Sequence, residues 1–119
     1  LTWAVVEFDA GSEFNLGASR FVSTAGGKYS MHAAAHVITL GTGTTEVKLH
    51  LYKNGVLLKT LQQVIALAGL TDITLTGSVI CTASPTDYFE VFAEFVGLTS
   101  GSGTVDGTIA ATWFSGAAV

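Results

Sequence analysis

Three histidines, one cysteine and nine acidic residues are the groups in these 119 residues that could hold a ligand or drive a reaction. His32 and His36 stand four apart. On a helix such a pair can grip zinc from one face, but the metalloprotease motif needs a Glu after the first His, and Ala33 is there instead. On a strand, residues four apart share a face but lie about 13 Å from each other, too far for one ion. The pair therefore reads as two exposed or interface histidines, and nothing in the sequence ties His50 to either.

Nucleophilic catalysis finds no support. No Gly-x-Ser-x-Gly elbow is present. Cys81 lies among apolar and small residues and reads as an inert core filler, since a reactive thiol needs an electropositive, accessible setting. A single cysteine also forms no internal disulfide and fixes no compartment. Gly41-Thr42-Gly43 and Gly101-Ser102-Gly103 resemble pieces of phosphate loops, yet neither completes Gly-x-Gly-x-x-Gly nor carries the P-loop lysine. Glu90 and Glu94 share one face of a strand, while Glu7, Asp9, Glu13, Asp72, Asp87 and Asp106 sit near strand ends or in loops. Paired acids can serve glycoside hydrolysis or calcium, but no Asp-x-Asp-x-Asp-Gly loop exists, and solvated or interface polar groups are the simpler reading. The chain is read as a non-enzyme without metal or cofactor.

Any such groups must be positioned by strands. The length fits a single domain over residues 1–119. Hydrophobic residues make up 49% and charged residues 12%, about half the usual charged share, which excludes a disordered chain. A net charge of −4 argues against nucleic acid. The longest apolar-plus-glycine run, residues 64–70, is too short to span a membrane, so no insertion is expected. The start at Leu1 has no initiator methionine and no basic region, and reads as a fragment or processed product rather than a signal peptide.

Short runs rich in Val, Ile, Thr and aromatics, punctuated by fourteen glycines, point to an all-β sandwich or barrel. Strands are predicted over residues 2–8, 14–16, 20–23, 28–40, 45–53, 56–61, 72–82, 87–96, 104–105 and 108–119. In the fifth of these Val47, Leu49 and Leu51 alternate with Lys48, His50 and Tyr52. Asn54-Gly55 then signals a tight hairpin. Ile73, Leu75, Val79 and Cys81 form one face of a later strand, and Phe89, Val91, Ala93 and Phe95 one face of the next. Two segments carry competing signals. Leu57, Leu58, Leu61, Val64, Ile65 and Ala68 have helical spacing, and Ala33-Ala34-Ala35 favours helix by propensity. The hairpin signal and the β-rich flanks favour strand in both.

From Phe21 onward the landmarks resemble the globular head of complement subcomponent q and its tumour necrosis factor-like relatives. Phe21-Val22-Ser23-Thr24-Ala25-Gly26-Gly27-Lys28-Tyr29 resembles "F-x-x-P-x-x-G-x-Y", and Leu51-Tyr52-Lys53-Asn54-Gly55 resembles "L-Y-K-N-x". Pro85-Thr86-Asp87-Tyr88-Phe89 resembles "P-G-D-x-V", and Phe114-Ser115-Gly116 resembles the start of "F-S-G-F". Thr24, Thr86 and Ala117 depart from the family's proline, glycine and bulky residue. No Gly-X-Y collagen stalk precedes the head. Richness in Ala, Thr and Gly without paired cysteines is similar to bacterial or phage fibre heads.

The resemblance implies a tumour necrosis factor-like jelly-roll β-sandwich of about ten strands that forms a homotrimer. One sheet, holding the first, last, third and sixth main strands, would pack about the threefold axis. Val47, Leu49, Leu51, Phe89, Val91, Ala93 and Phe95 are expected to face that sheet's core. Lys48, His50, Tyr52, Glu90, Phe92 and Glu94 are expected to meet neighbouring chains, with His50 and Glu90 or Glu94 offsetting each other's charge. The function this implies is an extracellular binding head at the tip of a fibrous protein, a bacterial surface adhesin or phage tail fibre, recognising a cell-surface glycan or protein. A purely structural trimerisation cap and a soluble complement- or cytokine-like ligand are the alternatives. Ligand contacts are expected in loops, at Thr42, Thr44, Ser84, Thr86, Ser100, Ser102 and Asp106.

Overall fold

Period-two alternation of apolar side chains makes the strands, because it gives each one a face to bury. The computed structural model describes residues 14–15, 20–65, 72–99, 104–105 and 112–119. Among these the chain forms strands β1 (Phe14–Asn15), β2 (Arg20–Val22), β3 (Gly27–Thr39), β4 (Glu46–Lys53), β5 (Val56–Ile65), β6 (Ile73–Ala83), β7 (Tyr88–Val96), β8 (Thr104–Val105) and β9 (Trp113–Ala118), with no helix. The predicted first strand and residues 108–111 of the predicted last one lie outside the described residues.

Two antiparallel sheets result. One runs β1-β2-β7-β4-β5; the other runs β6-β3-β8, with β9 also paired to β3. Their apolar faces share one core. Phe21, Val47, Leu49, Leu51, Phe89 and Val91 come from the first sheet, and Tyr29, Met31, Ala33, Ala35, Val37 and Leu75 from the second. A fully buried Val, Leu or Phe side chain contributes about 1.5–3 kcal/mol by leaving water, so these rows dominate the stabilisation. Phe21 joins the sheets: its ring meets Tyr29 edge-on at 5.7 Å and Phe89 at 6.4 Å. Gly116 lies against the same cluster, where an added Cβ would fall 2.7 Å from Met31 Sδ and 3.1 Å from Phe21 Cε2.

The alanines of β3 are strand residues, and Ala33 stands opposite a position with no room for a side chain. Ala33 pairs with Gly77 on one side and Phe114 on the other. A Cβ on Gly77 would sit 2.6 Å from Leu61 Cβ. Leu61 from β5 therefore occupies the volume that a side chain at position 77 would need. The same seam is tied by a polar contact, the Thr76 N–H donating to Gln62 Oε1 at 2.6 Å.

β5 runs four residues further than the predicted 56–61. Its pairing with β4 shifts twice, between Leu49 and His50 and between Leu51 and Tyr52. Leu61 and Leu58 are the residues skipped in the register, and each skip is a bulge. Two bulges break the period of two and leave apolar residues three or four apart, which is why the segment imitates a helix in sequence.

A second expectation needs correction. The strands carrying Val47 to Leu51 and Phe89 to Phe95 were placed with the last strand in one sheet. β4 and β7 instead pair with each other, Lys48 opposite Glu94 and His50 opposite Phe92, in the sheet that lacks β9. Alternation fixes which residues share a face, but it carries no information on which long-range partner a strand takes.

Candidate functional site

Register builds the outward face of the β7-β4-β5 sheet row by row. Glu90, Tyr52 and Leu57 form one row, Phe92, His50 and Thr60 the next, and Glu94, Lys48 and Gln63 the third. Six residues expected to lie together therefore do so. Phe92 leaves 41% of its surface exposed, and its ring meets Tyr52 edge-on at 4.8 Å. Beside them opens a shallow depression lined by His50, Tyr52, Phe92, Ala93, Glu94, Phe95 and Leu98.

His50 points outward yet is only 6% exposed. Burial of an imidazole is tolerable when both nitrogens are bonded, and both are. Nε2 lies 2.8 Å from Glu94 Oε1, and Nδ1 lies 3.0 Å from Thr60 Oγ1. The ring hydrogen bond from His50 is the main reason the Glu94 carboxyl is held below the usual carboxylate range; burial opposes it, and the positive charge of Lys48 adds a lesser lowering effect. Of the two acids expected to offset His50, Glu94 is the partner. Glu90 instead meets Arg20 at 3.5 Å, and the Arg20 guanidinium stacks 4.0 Å over the Tyr88 ring. Lys48 pairs with Glu46 at 3.3 Å. The face is thus an aromatic pair framed by closely matched charges, with no unpaired nucleophile among its described contacts.

The outward face of the other sheet carries exposed apolar residues of its own. Ile80 is 63% exposed and Trp113 41% exposed, and both project from it. Around them stand small and hydroxyl residues: Ser30, Ser78, Thr76, Ser115 and Ala117. His32 and His36 share this face on β3. His32 Nε2 lies 2.6 Å from Ser30 Oγ, and His36 Nε2 lies 2.8 Å from Asp72 Oδ1, so each faces its own partner. Among the described residues no cluster of three or more His, Cys, Asp or Glu could hold a metal ion. Cys81 is half-buried at the core margin, and burial raises its thiol pKa despite Lys53 nearby.

The predicted ligand loops do not converge. Thr42 and Thr44 sit at one end of the strands, where the Thr99 N–H donates to Thr42 O at 2.9 Å and Thr44 Oγ1 bonds Leu40 O. Ser84 and Thr86 sit at the other end of β4 and β7. Eight strand residues separate the two ends by roughly 25 Å, so one small ligand cannot touch both in one protomer. Ser100, Ser102 and Asp106 lie outside the described residues.

Among the described residues, the end formed by residues 53–55 and 84–88 is densely hydrogen-bonded. Pro85 and Thr86 form a turn closed by Asp87 N–H donating to Ser84 O at 3.1 Å. Thr86 has φ +74°, the left-handed value that the third position of a type II turn requires. The Asp87 carboxylate accepts the Ser84 N–H at 2.8 Å, the Asn54 amide at 2.9 Å and Lys53 Nζ at 3.5 Å. These contacts, led by the Ser84 N–H, hold its pKa below the ordinary value. Asn54 behaves like an extra strand residue beside β7: its N–H donates to Tyr88 O, and its side-chain oxygen accepts from the Tyr88 N–H, both at 2.9 Å. Composition signals such as Asn-Gly announced the hairpin, but nothing local announced this bond to a turn more than thirty residues away.

No family model matches the chain, and no curated protein matches it.

Proposed function

We propose that the chain is a trimeric, non-enzymatic binding head of jelly-roll type, similar to the complement subcomponent q and tumour necrosis factor-like heads, carried at the tip of a fibrous surface protein. The observation that carries the reading is convergence. Segments of the resemblance that are far apart in sequence meet in two clusters: Phe21, Tyr29, Phe89 and Gly116 in the core, and Lys53, Asn54, Asp87 and Tyr88 at one end. Thr86 adds to this, since the position where the family carries glycine has a positive φ. Two antiparallel sheets, β1-β2-β7-β4-β5 and β6-β3 with β8 and β9 on β3, are compatible with the sandwich this reading needs.

The sheet holding the last strand is the one the resemblance sets about the threefold axis. Its outward Trp113 and Ile80, among small residues, give an apolar contact suited to that role. The Tyr52–Phe92 face would then lie toward the outside of the assembly, free to meet a glycan or protein on a cell surface, where three copies gain avidity.

Native mass measurement tests the assembly. The reading expects a mass of three chains, lost in Trp113→Glu and kept in Phe92→Glu. Loss only in Phe92→Glu restores the interface at Lys48, His50, Tyr52, Glu90, Phe92 and Glu94, and a monomeric wild-type chain overturns the trimer. A glycan array and whole-cell binding then separate a binding head from an inert structural cap.

A further inference from the structure

The Asn54-Gly55 turn carries a reactive pair held by its neighbours. Both residues have left-handed backbones, with φ +53° and +81°, as a two-residue hairpin turn of this kind requires. Both are exposed to water. The amide nitrogen of a glycine after asparagine is unusually open to reaction, because no side chain shields it. We propose that Asn54 is a self-modification site, closed while Asp87 and Tyr88 hold its side chain and opened when that end of the molecule loosens, with water as the co-reactant.

The chemistry balances without an oxidant or an enzyme. The Gly55 amide gives its proton to hydroxide, and its nitrogen attacks Asn54 Cγ. A new C–N bond forms, the bond from Cγ to Nδ2 breaks, and Nδ2 leaves as ammonia after taking a proton from water. The resulting five-membered imide is opened by water at either carbonyl. The products are aspartate, or isoaspartate with the main chain rerouted through Cγ. One amide and one water become one carboxylic acid and one ammonia.

The structure opposes each stage. To reach the Gly55 nitrogen, Cγ must swing away and become tetrahedral, which breaks the bond from Tyr88 N–H to Oδ1 and the bond from Nδ2 to Asp87, each 2.9 Å long. The transition state is anionic, and the Asp87 carboxylate beside it repels that charge. Losing two such bonds slows the reaction by roughly tenfold or more. Once made, the modification is not neutral. A carboxylate at Asn54 would face the Asp87 carboxylate where an N–H donor now stands, and isoaspartate lengthens a turn that has room for two residues. Either product loosens the Asn54 turn from Asp87 and Tyr88 at that end of the β4–β7 pair.

The test is incubation of the full chain under mildly alkaline conditions, folded and in urea. Trypsin cleavage after Lys53 and Lys59 releases the reporting segment, read as the mass gain of an NH2-to-OH exchange. The folded chain is expected to convert roughly tenfold more slowly than the denatured one, and folded Asp87→Ala to convert faster than wild type. Equal rates in the folded and denatured wild-type chain overturn the proposal, as does a folded Asp87→Ala no faster than wild type. If circular dichroism shows Asp87→Ala unfolded, Asp87→Asn, which keeps an acceptor for the Ser84 N–H but loses the charge, takes its place under the same criterion. Modified wild-type protein, separated by ion exchange, is expected to melt below the unmodified form, and an identical melting temperature overturns the claim that the modification loosens this end.

Discussion

Thr86→Gly is expected to stabilise the protein, although glycine substitutions usually weaken one. Thr86 sits at φ +74° in the turn between β6 and β7. An L-residue in the left-handed region costs roughly 1–2 kcal/mol, and branching at Cβ puts threonine toward the upper end. Against this, glycine loses more backbone freedom on folding, about 0.5–1 kcal/mol. The Thr86 side chain is exposed, so its removal gives up little burial. Two turn contacts use main-chain groups: the Thr86 N–H donates to Ser23 O at 2.9 Å, and Asp87 N–H donates to Ser84 O. Both survive the change. The net gain is therefore about 0.5–1 kcal/mol, which for a domain of this size raises the melting temperature by roughly 2–4 °C. Thermal and urea unfolding of wild type, Thr86→Ala and Thr86→Gly at one pH and concentration would read it. Alanine should fall between the other two, because it removes the branching but keeps Cβ. A lower melting temperature for Thr86→Gly, or alanine more stable than glycine, would refute the argument that backbone strain sets the energy of this turn.

Gly116→Ala pushes a methyl to 2.7 Å from Met31 Sδ and 3.1 Å from Phe21, and should lower stability by about 1–3 kcal/mol in urea titration. Met31→Ala costs about 2–5 kcal/mol by itself, but in its background Gly116→Ala should cost less than in wild type, because the nearest clash disappears. Glu94 has a folded pKa below the ordinary glutamate value, so its bond to His50 stabilises fully above that ordinary value and is lost as pH falls through the lower folded value. Melting curves across the acid range should show Glu94→Gln with a shallower acid decline than wild type, and superimposable profiles would count against the bond.

Much of the fold was legible because burial writes itself into alternation. Of the predicted inward residues, Val47, Leu49, Leu51, Phe89 and Val91 are buried and Ala93 and Phe95 half-buried, and most strand limits agree within one residue. What alternation could not carry was pairing at long range. It could not put β4 beside β7 in a sheet without β9, nor anticipate that Leu61 would fill the space over Gly77. The candidate face was legible as a set of residues, Lys48 to Tyr52 and Glu90 to Glu94, because side chains two apart share a side. Its chemistry was not. His50 is buried on an outward face only because Thr60 and Glu94 bracket it, and both partners come from other strands. The loop residues fared worst, since hydroxyl-rich turns look alike in sequence whichever end of the sheet they occupy.

The two skips in β5 bear on how crowded this protein can become. Among the described residues β5 has a strand neighbour on one side only, and it carries exposed Val56, Leu57, Leu58 and Ile65. A straight strand of that composition would be a template for stacking chains into fibrils. Bulges at Leu58 and Leu61 twist the edge out of register with a flat partner, Lys59 adds charge between them, and Gln62 occupies an N–H of the adjoining β6 edge. A chain with so few charges cannot rely on mutual repulsion to stay dispersed. It relies on an edge whose geometry a copy of itself cannot match.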